Sequence, residues 1–340
     1  MSLARIAHSE ESDEASGLLE RRTHLSASAI EWLHKSVPKE TFAAYQREWI
    51  KFLAWCDAYD VDPLPVSSDN LASWVAARCD AGHSISIIEQ GISAVVFFHD
   101  GAKVRKPNRD DSWRIVGAYR RQLIRSGWRP DEAATYTIEQ LRAMSASLGQ
   151  RGALTIRDRA ALLAATGAFA RRSELVGLDI GDIRFAGGKL ILFIALSKTD
   201  QQGRGRDVNI APGGHPLTDP VAAMREWVNV LSSRGIRSGP LFRRMWQTSP
   251  GLYTIKDAHR LDGRWLGQVV KVAIEGAGIS APSGRTYRAH STRAAGATMA
   301  FRARKPTVQI AEHGGWSLKG TQVHRYNRPE DQESVTEGLM

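Results

Sequence analysis

Six side chains in the second half of this 340-residue chain are of types that together can break a phosphodiester without a metal. Arg171 opens the run RRSEL, Lys198 lies in LSKTD, and His290 and Arg293 bracket HSTR. Trp316 closes HGGW, and Tyr326 ends VHRY ten residues later. Attack on a phosphodiester builds a doubly charged pentacoordinate phosphorane, so preorganised donors are what lower the barrier. Arg171 and Arg293 supply permanently charged planar forks matched to phosphate oxygens. Two such donors, at roughly 2.7–4 kcal/mol each, already account for several powers of ten in rate. His290 and the Trp316 indole N–H can add hydrogen bonds to the same oxygens. The Tyr326 phenoxide is the natural nucleophile, because a phosphotyrosyl ester stores the bond energy for resealing. Lys198, where a strand meets a turn, can protonate the leaving 5′-oxygen. Glu174 fits better as a support for Arg171 or its helix.

Each residue alone has a plainer reading. RRSEL is also a helix surface with local ion pairs, Lys198 an ordinary turn lysine, His290 a satisfied polar group, and Trp316 and Tyr326 packing. Only the joint arrangement points to chemistry. His313 and His324 stand outside it and read as structural. Arg172 stays open between a second phosphate contact and a solvent-facing charge.

The elements that must position these groups fall into two blocks. Residues 1–24 are polar, acidic and aperiodic, and are expected to form a flexible tail. Residues 25–127 are expected to form an all-helical domain of four or five helices. Its first helix carries Phe42, Tyr45, Trp49, Phe52, Leu53 and Cys56 on one face, Ser67 or Ser68 can cap the second, and Ile85, Ile88, Ile92, Val95 and Val96 mark the third. Residues 128–136 read as a linker. Residues 137–340 form the expected catalytic domain, where Thr137 and Gln140 suggest a capping box and RDRAALLAATGAFARRSELVGL a continuous helix. GGKLILFIALSKT and RGRDVNIAP make the one clear β region, joined by a turn. The remainder reads as helical, with Pro306 in the first turn of a short helix closed by Gly314 and Gly315.

The formal charge of +10 suits a partner that is a polyanion. Two cysteines make a disulfide framework implausible. The start of the chain lacks the apolar core of a signal peptide, and no run of about 18 apolar residues could span a membrane. A cytoplasmic protein fits these features. GxxxxGK[ST], HExxH, metal-spaced Cys/His and GxSxG patterns are absent, so no cofactor or metal is expected.

The order and context of these boxes resemble the tyrosine recombinase (phage integrase) family, and Cre-type site-specific recombinases most closely. Arg171-Arg172-Ser173-Glu174-Leu175 is similar to its first arginine box, and Lys198 to its hairpin lysine. His290-Ser291-Thr292-Arg293 is similar to its H-x-x-R box, Gly314-Gly315-Trp316 to its GG[HW] turn, and Tyr326 to its nucleophile. One departure is a Trp316-to-Tyr326 interval one residue longer than in Cre-like relatives, which puts an insertion near Lys319-Gly320.

The resemblance implies a mainly α fold with a small antiparallel β-sheet in the catalytic domain, arranged as a two-domain C-shaped clamp on double-stranded DNA. It implies linkage of Tyr326 to the 3′-phosphate, strand exchange between two paired sites, and a tetramer on those sites. The tetramer would be organised by a C-terminal segment carrying Val335, Leu339 and Met340, and the setting would be bacterial or phage-type and nucleoid-associated. The helices that enter the major groove correspond to Lys39–Lys51 and His83–His99. Their exposed faces offer Gln46, Arg47, Ser86, Glu89 and Gln90, where Gln can read adenine and Glu can accept from cytosine. Lys103, Arg105, Lys106, Arg120 and Arg121 suit backbone contacts. Two rivals share much of this pattern. A type IB topoisomerase would use the same chemistry on one duplex, and an accessory DNA-binding protein would use the fold without the reaction.

Overall fold

The structure is a computed structural model, and it describes residues 37–149, 152–195, 205–249 and 252–327. Lys198, the tail at 1–24 and the C-terminal segment with Val335, Leu339 and Met340 lie outside the described residues. The chain divides into two compact units, Met1–Arg129 and Pro130–Met340.

The first unit is helical throughout its described part: α1 (Lys39–Ala58), α2 (Ser68–Asp80), α3 (Ile85–Gly101) and α4 (Asp110–Arg125). Helix α1 packs on α3 and α2 on α4. The apolar face of α1 puts Trp49, Phe52 and Cys56 in a core with Trp74, Ile88, Ile92 and Phe98. Ser67 caps α2 by accepting the Asn70 amide at 3.1 Å. Glu48, on the face of α1 that hydrophobic spacing alone leaves unassigned, is buried and pairs with Arg78 of α2 at 2.8 Å. His99 is buried between two backbone groups. Its Nε2 accepts the Val66 amide at 3.0 Å, so Nδ1–H donates to the Val95 carbonyl at 2.7 Å.

The second unit is built around α6 (Ala153–Gly167), whose Ala- and Leu-rich surface is buried over much of its length. Against it pack α8 (Pro220–Ser232), α9 (Arg264–Gly276) and α10 (His290–Arg302). Helix α5 (Ile138–Ser147) opens with the reciprocal Thr137–Gln140 capping box and packs on α9. Strands β2 (Ile183–Ala186), β3 (Lys189–Ile194) and β4 (Arg206–Ile210) form an antiparallel sheet in which Leu192 pairs with Ile183 and Val208. Helix α11 (Thr307–Gly314) starts after Pro306 and closes on Gly315, whose φ of 66° is the left-handed cap that glycine accepts without strain.

Three expectations need correction. The stretch Arg157–Leu178 is not one helix. Helix α6 ends at Gly167, Phe169 takes a left-handed φ of 48°, and α7 (Arg172–Gly177) starts afresh. The break seats Gly167 where a Cβ would meet Ile210 at 2.8 Å. The region read as helical after residue 240 holds a second antiparallel hairpin, β5 (Arg243–Ser249) with β6 (Leu252–Arg260). The hydrophobic positions there are too sparse for either period to dominate. Finally, residues within the expected linker are built into the second unit. Strand β1 (Glu132–Ala133) pairs in parallel with β7 (Arg285–Thr286), and Ala134 and Tyr136 are buried.

Candidate catalytic site

Four separate segments of the second unit meet at one cavity of about 520 Å³. Its wall includes Arg171, Arg288, His290, Arg293, Trp316 and Tyr326. Arg171 is the residue just before α7, a position created by the helix break at Phe169. Glu174, one turn on, accepts the Arg171 backbone amide at 3.0 Å and its Nη1 at 2.5 Å. Arg206 of β4 donates at 3.3 Å to Glu174 Oε2, the oxygen that also accepts the Arg171 amide. Burial alone would raise the Glu174 carboxyl; the Arg171 amide and the Arg206 and Arg171 charges outweigh it and hold the group below its usual range. Glu174 is therefore an anion clamped under two arginines.

Helix α10 carries His290 and Arg293 one turn apart. Its next turn is Ala-Ala-Gly-Ala, which lets it lie close to α6. A Cβ on Gly296 would sit 2.2 Å from the Thr166 carbonyl oxygen. Arg293 is 1% exposed. Its Nη1 donates to the Phe169 carbonyl and, at 2.8 Å, to the Gly314 carbonyl, while its Cζ lies 3.7 Å above the Trp316 ring. Its Nη2 is buried with no hydrogen-bond partner among the described residues. Burial, then the Arg171 charge, pushes the Arg293 guanidinium down to about 10, still a cation at neutral pH. The backbone carbonyls orient this cation without cancelling its charge.

Tyr326 ends a short 3₁₀ turn, Gln322–Tyr326, rather than standing on an α-helix. Its hydroxyl is 2.9 Å from His290 Nε2, its ring centroid 5.1 Å from that of Trp316, and its carbonyl accepts from Thr298 of α10 at 3.2 Å. Partial burial, followed by the charges of Arg293, Arg288 and Arg171, pushes His290 down to about 4. The imidazole is thus neutral at pH 7 and able to exchange a proton with the phenol. The glycine pair before Trp316 has a packing reason. A Cβ on Gly314 would lie 1.8 Å from the Trp316 ring, and one on Gly315 2.8 Å from the Arg206 guanidinium carbon. His313 is turned away from this chemistry and bonds the Gly167 carbonyl at 2.8 Å.

The structure therefore brings together Arg171, Glu174, His290, Arg293, Trp316 and Tyr326. It adds side chains that sequence reading missed: Arg206, Thr298, Arg288 and Asp131. Arg206 was hidden among several arginines in RGRDV, and Asp131 in a stretch read as linker. In the first unit, Arg47, Ser86, Lys106 and Arg121 are exposed, and Gln46, Glu89 and Gln90 half-buried. Glu89 is paired with Arg120 at 2.7 Å, and Lys106 with Asp100 at 2.7 Å. Among the described residues no three His, Cys, Asp or Glu side chains converge as metal ligands, and no helix is long and apolar enough to cross a membrane.

Residues 135–333 match the model of the phage integrase family. A homologue from Selenomonas ruminantium described as an integrase/recombinase xerD homolog is 28% identical over 230 residues, which is 66% of this chain and 65% of that protein's length. Among solved structures, XerH site-specific recombinase bound to a palindromic difH substrate in a post-cleavage complex has a TM-score of 0.62 at 15% identity. That match covers 97% of this chain and 88% of the other. A lambda integrase dimer bound to a COC′ core site has a TM-score of 0.57 at 14% identity, covering 96% and 98%. At these identities the structural matches speak for the fold.

Proposed function

The chain belongs to the phage integrase family, and from that premise we propose that it is a tyrosine site-specific recombinase. It cleaves DNA through Tyr326, holds the broken strand as a 3′-phosphotyrosyl ester, and reseals it to a strand from a second site. The observation that carries this reading is the Arg293 guanidinium. It is a buried cation with an unfilled N–H, in the same cavity as Arg171 and the Tyr326 hydroxyl. The Glu174 charge acts on Arg293 from a distance, but no carboxylate among the described residues is hydrogen-bonded to it. An incoming anion completes such a buried cation, and a phosphate has the right charge and acceptor geometry.

In the mechanism, Arg171 and Arg293 hold the non-bridging oxygens, and Glu174 with Arg206 fixes the angle of Arg171. The bound phosphate offsets the arginine charges that weaken His290 as a base, so that His290 takes the Tyr326 proton as the phenol oxygen attacks phosphorus, and the Trp316 indole limits where the phosphate can sit. Lys198 protonates the leaving 5′-oxygen. Both units contact the DNA. In the first unit Gln46, Arg47, Ser86, Glu89, Gln90, Lys106 and Arg121 meet the duplex. Four copies work on two sites, each docking its C-terminal segment on a neighbour, in the cytoplasm and on nucleoid DNA. The fold of the DNA-bound neighbours and the charge of +10 support this setting.

The test is a nicked suicide substrate carrying the recognition site, followed by denaturing electrophoresis and peptide mapping. The expected product is a covalent adduct on Tyr326, formed equally well in EDTA and absent in Tyr326→Phe. An adduct on another residue, or a requirement for magnesium, refutes the mechanism. Relaxation of supercoiled DNA without recombinant products would favour a type IB topoisomerase instead.

A further inference from the structure

The same cavity contains a second guanidinium with an unfilled donor. Arg288 precedes His290 by two residues and lines the wall beside it. Its Nη1 donates to the Asp131 carboxylate at 2.6 Å and its Nη2 to the Asp131 carbonyl at 2.8 Å. Its Nε is buried and makes no hydrogen bond among the described residues.

Both halves of this pair are pinned. The Arg288 amide donates to Ser291 Oγ at 3.0 Å, and its carbonyl accepts the Ser291 amide at 2.8 Å. Asp131 accepts from Thr286 Oγ1 at 3.3 Å, and the strands that follow Asp131 and precede Arg288 pair in parallel. The side chains of Arg288 and Asp131 remain 41% and 61% exposed, so as a stabilising ion pair the contact is worth little. Its position is more informative. A bare carboxylate in a cavity for phosphates would repel them, and here Arg288 neutralises it. A guanidinium has five N–H donors, and Asp131 takes two of those on Arg288.

We propose that Arg288 is a further substrate-holding arginine, which grips a DNA phosphate adjacent to the one attacked by Tyr326, with Asp131 setting the angle of its fork. The inference rests on the cleavage reading above. Arg293, held by backbone carbonyls with no carboxylate hydrogen-bonded to it among the described residues, activates the attacked phosphate. Arg288, whose charge is partly offset by Asp131, holds its neighbour and fixes register.

The experiment replaces each phosphate flanking the cleavage site, one at a time, by a neutral methylphosphonate in the suicide substrate. Wild type, Arg288→Ala and Arg288→Gln are compared by rate of adduct formation, with thermal melts of each protein. In wild type, one flanking methylphosphonate is expected to slow the reaction about tenfold to a hundredfold, as loss of one charge-assisted hydrogen bond does. Arg288→Ala should slow the all-phosphate substrate by a similar factor and lose sensitivity at that one position only. If the alanine variant melts early, Arg288→Gln decides by the same scan, since it keeps the aliphatic stem and a polar end but not the charge. Undiminished sensitivity at every flanking phosphate in the folded variant overturns the proposal. Failure of wild type to form any Tyr326 adduct overturns the cleavage reading instead.

Discussion

Each unit buries an arginine against a tryptophan, and the two arginines are satisfied in opposite ways. In the helical unit, Arg78 lies over Trp74 at 5.2 Å and meets the Glu48 carboxylate at 2.8 Å. Glu48 also takes Lys51 at 2.7 Å, so the fold itself supplies the counter-charge of Arg78, although Arg78 Nε, like Arg293 Nη2, has no hydrogen-bond partner among the described residues. In the second unit, Arg293 lies over Trp316 at 3.7 Å, and its Nη1 donates to neutral carbonyls, while Nη2 has no partner among the described residues. A buried cation closed by a carboxylate belongs to the architecture. One held in place by carbonyls is oriented toward an anion that arrives from outside. Burial of arginine is thus no sign of function by itself; its counter-charge is.

The comparison can be broken most forcefully at Glu48. Glu48→Gln leaves Arg78 buried without its carboxylate and should cost about 3–5 kcal/mol, the penalty for removing one partner of a buried pair. Denaturant unfolding of the full chain measures it, and Glu48→Met combined with Arg78→Leu should recover most of the loss. A loss below about 1 kcal/mol for Glu48→Gln would mean the pair is no better than a surface contact and would dissolve the contrast.

Arg293→Gln comes next, with its effect on chemistry. Adduct formation should fall about 10²–10³-fold, or roughly 2.7–4 kcal/mol, as when one transition-state donor is removed. Stability should suffer less than in Glu48→Gln, because the substitution removes a buried charge with no carboxylate hydrogen-bonded to it among the described residues, rather than creating one. Parallel single-turnover cleavage and thermal melts decide. A variant that melts as early as Glu48→Gln yet cleaves normally once folded would make Arg293 a core residue like Arg78.

What the sequence made legible follows the same line. Arg171, His290, Arg293, Trp316 and Tyr326 stood out because each sits in a short box whose order along the chain is informative. Long amphipathic helices such as α1 and α3 were equally plain, since their apolar positions repeat over four or five turns. The helix break at Phe169 was not, because GAFARRSEL holds no proline and its single glycine is of a kind that helices tolerate. The turn exists because Gly167 meets Ile210 and the Phe169 carbonyl meets Arg293, both tertiary contacts. The β5–β6 hairpin was missed for want of a clean two-residue alternation. The Asp131–Arg288 pair joins residues far apart in the chain, and that pairing leaves no local trace.

The smallest expected effect contrasts two glycines. Gly117 lies inside α4, where an added Cβ would meet only Arg121 Nη1 at an ordinary 3.5 Å. Gly117→Ala should therefore stabilise the protein by about 0.4–1 kcal/mol, because alanine loses less backbone entropy on entering a helix. Gly314 ends α11, where an added Cβ would lie 1.8 Å from the Trp316 ring. Its carbonyl also holds Arg293. Gly314→Ala must push the indole off the guanidinium, at about 1–3 kcal/mol by the usual cost of overpacking, and should slow adduct formation with it. The two substitutions are chemically identical, so opposite signs in thermal melts isolate what surrounds them. If Gly314→Ala stabilised the chain as Gly117→Ala does, and cleaved at the wild-type rate, Trp316 would not be wedged over Arg293. The second unit's cation would then lack the rigid seat on which its difference from Arg78 depends.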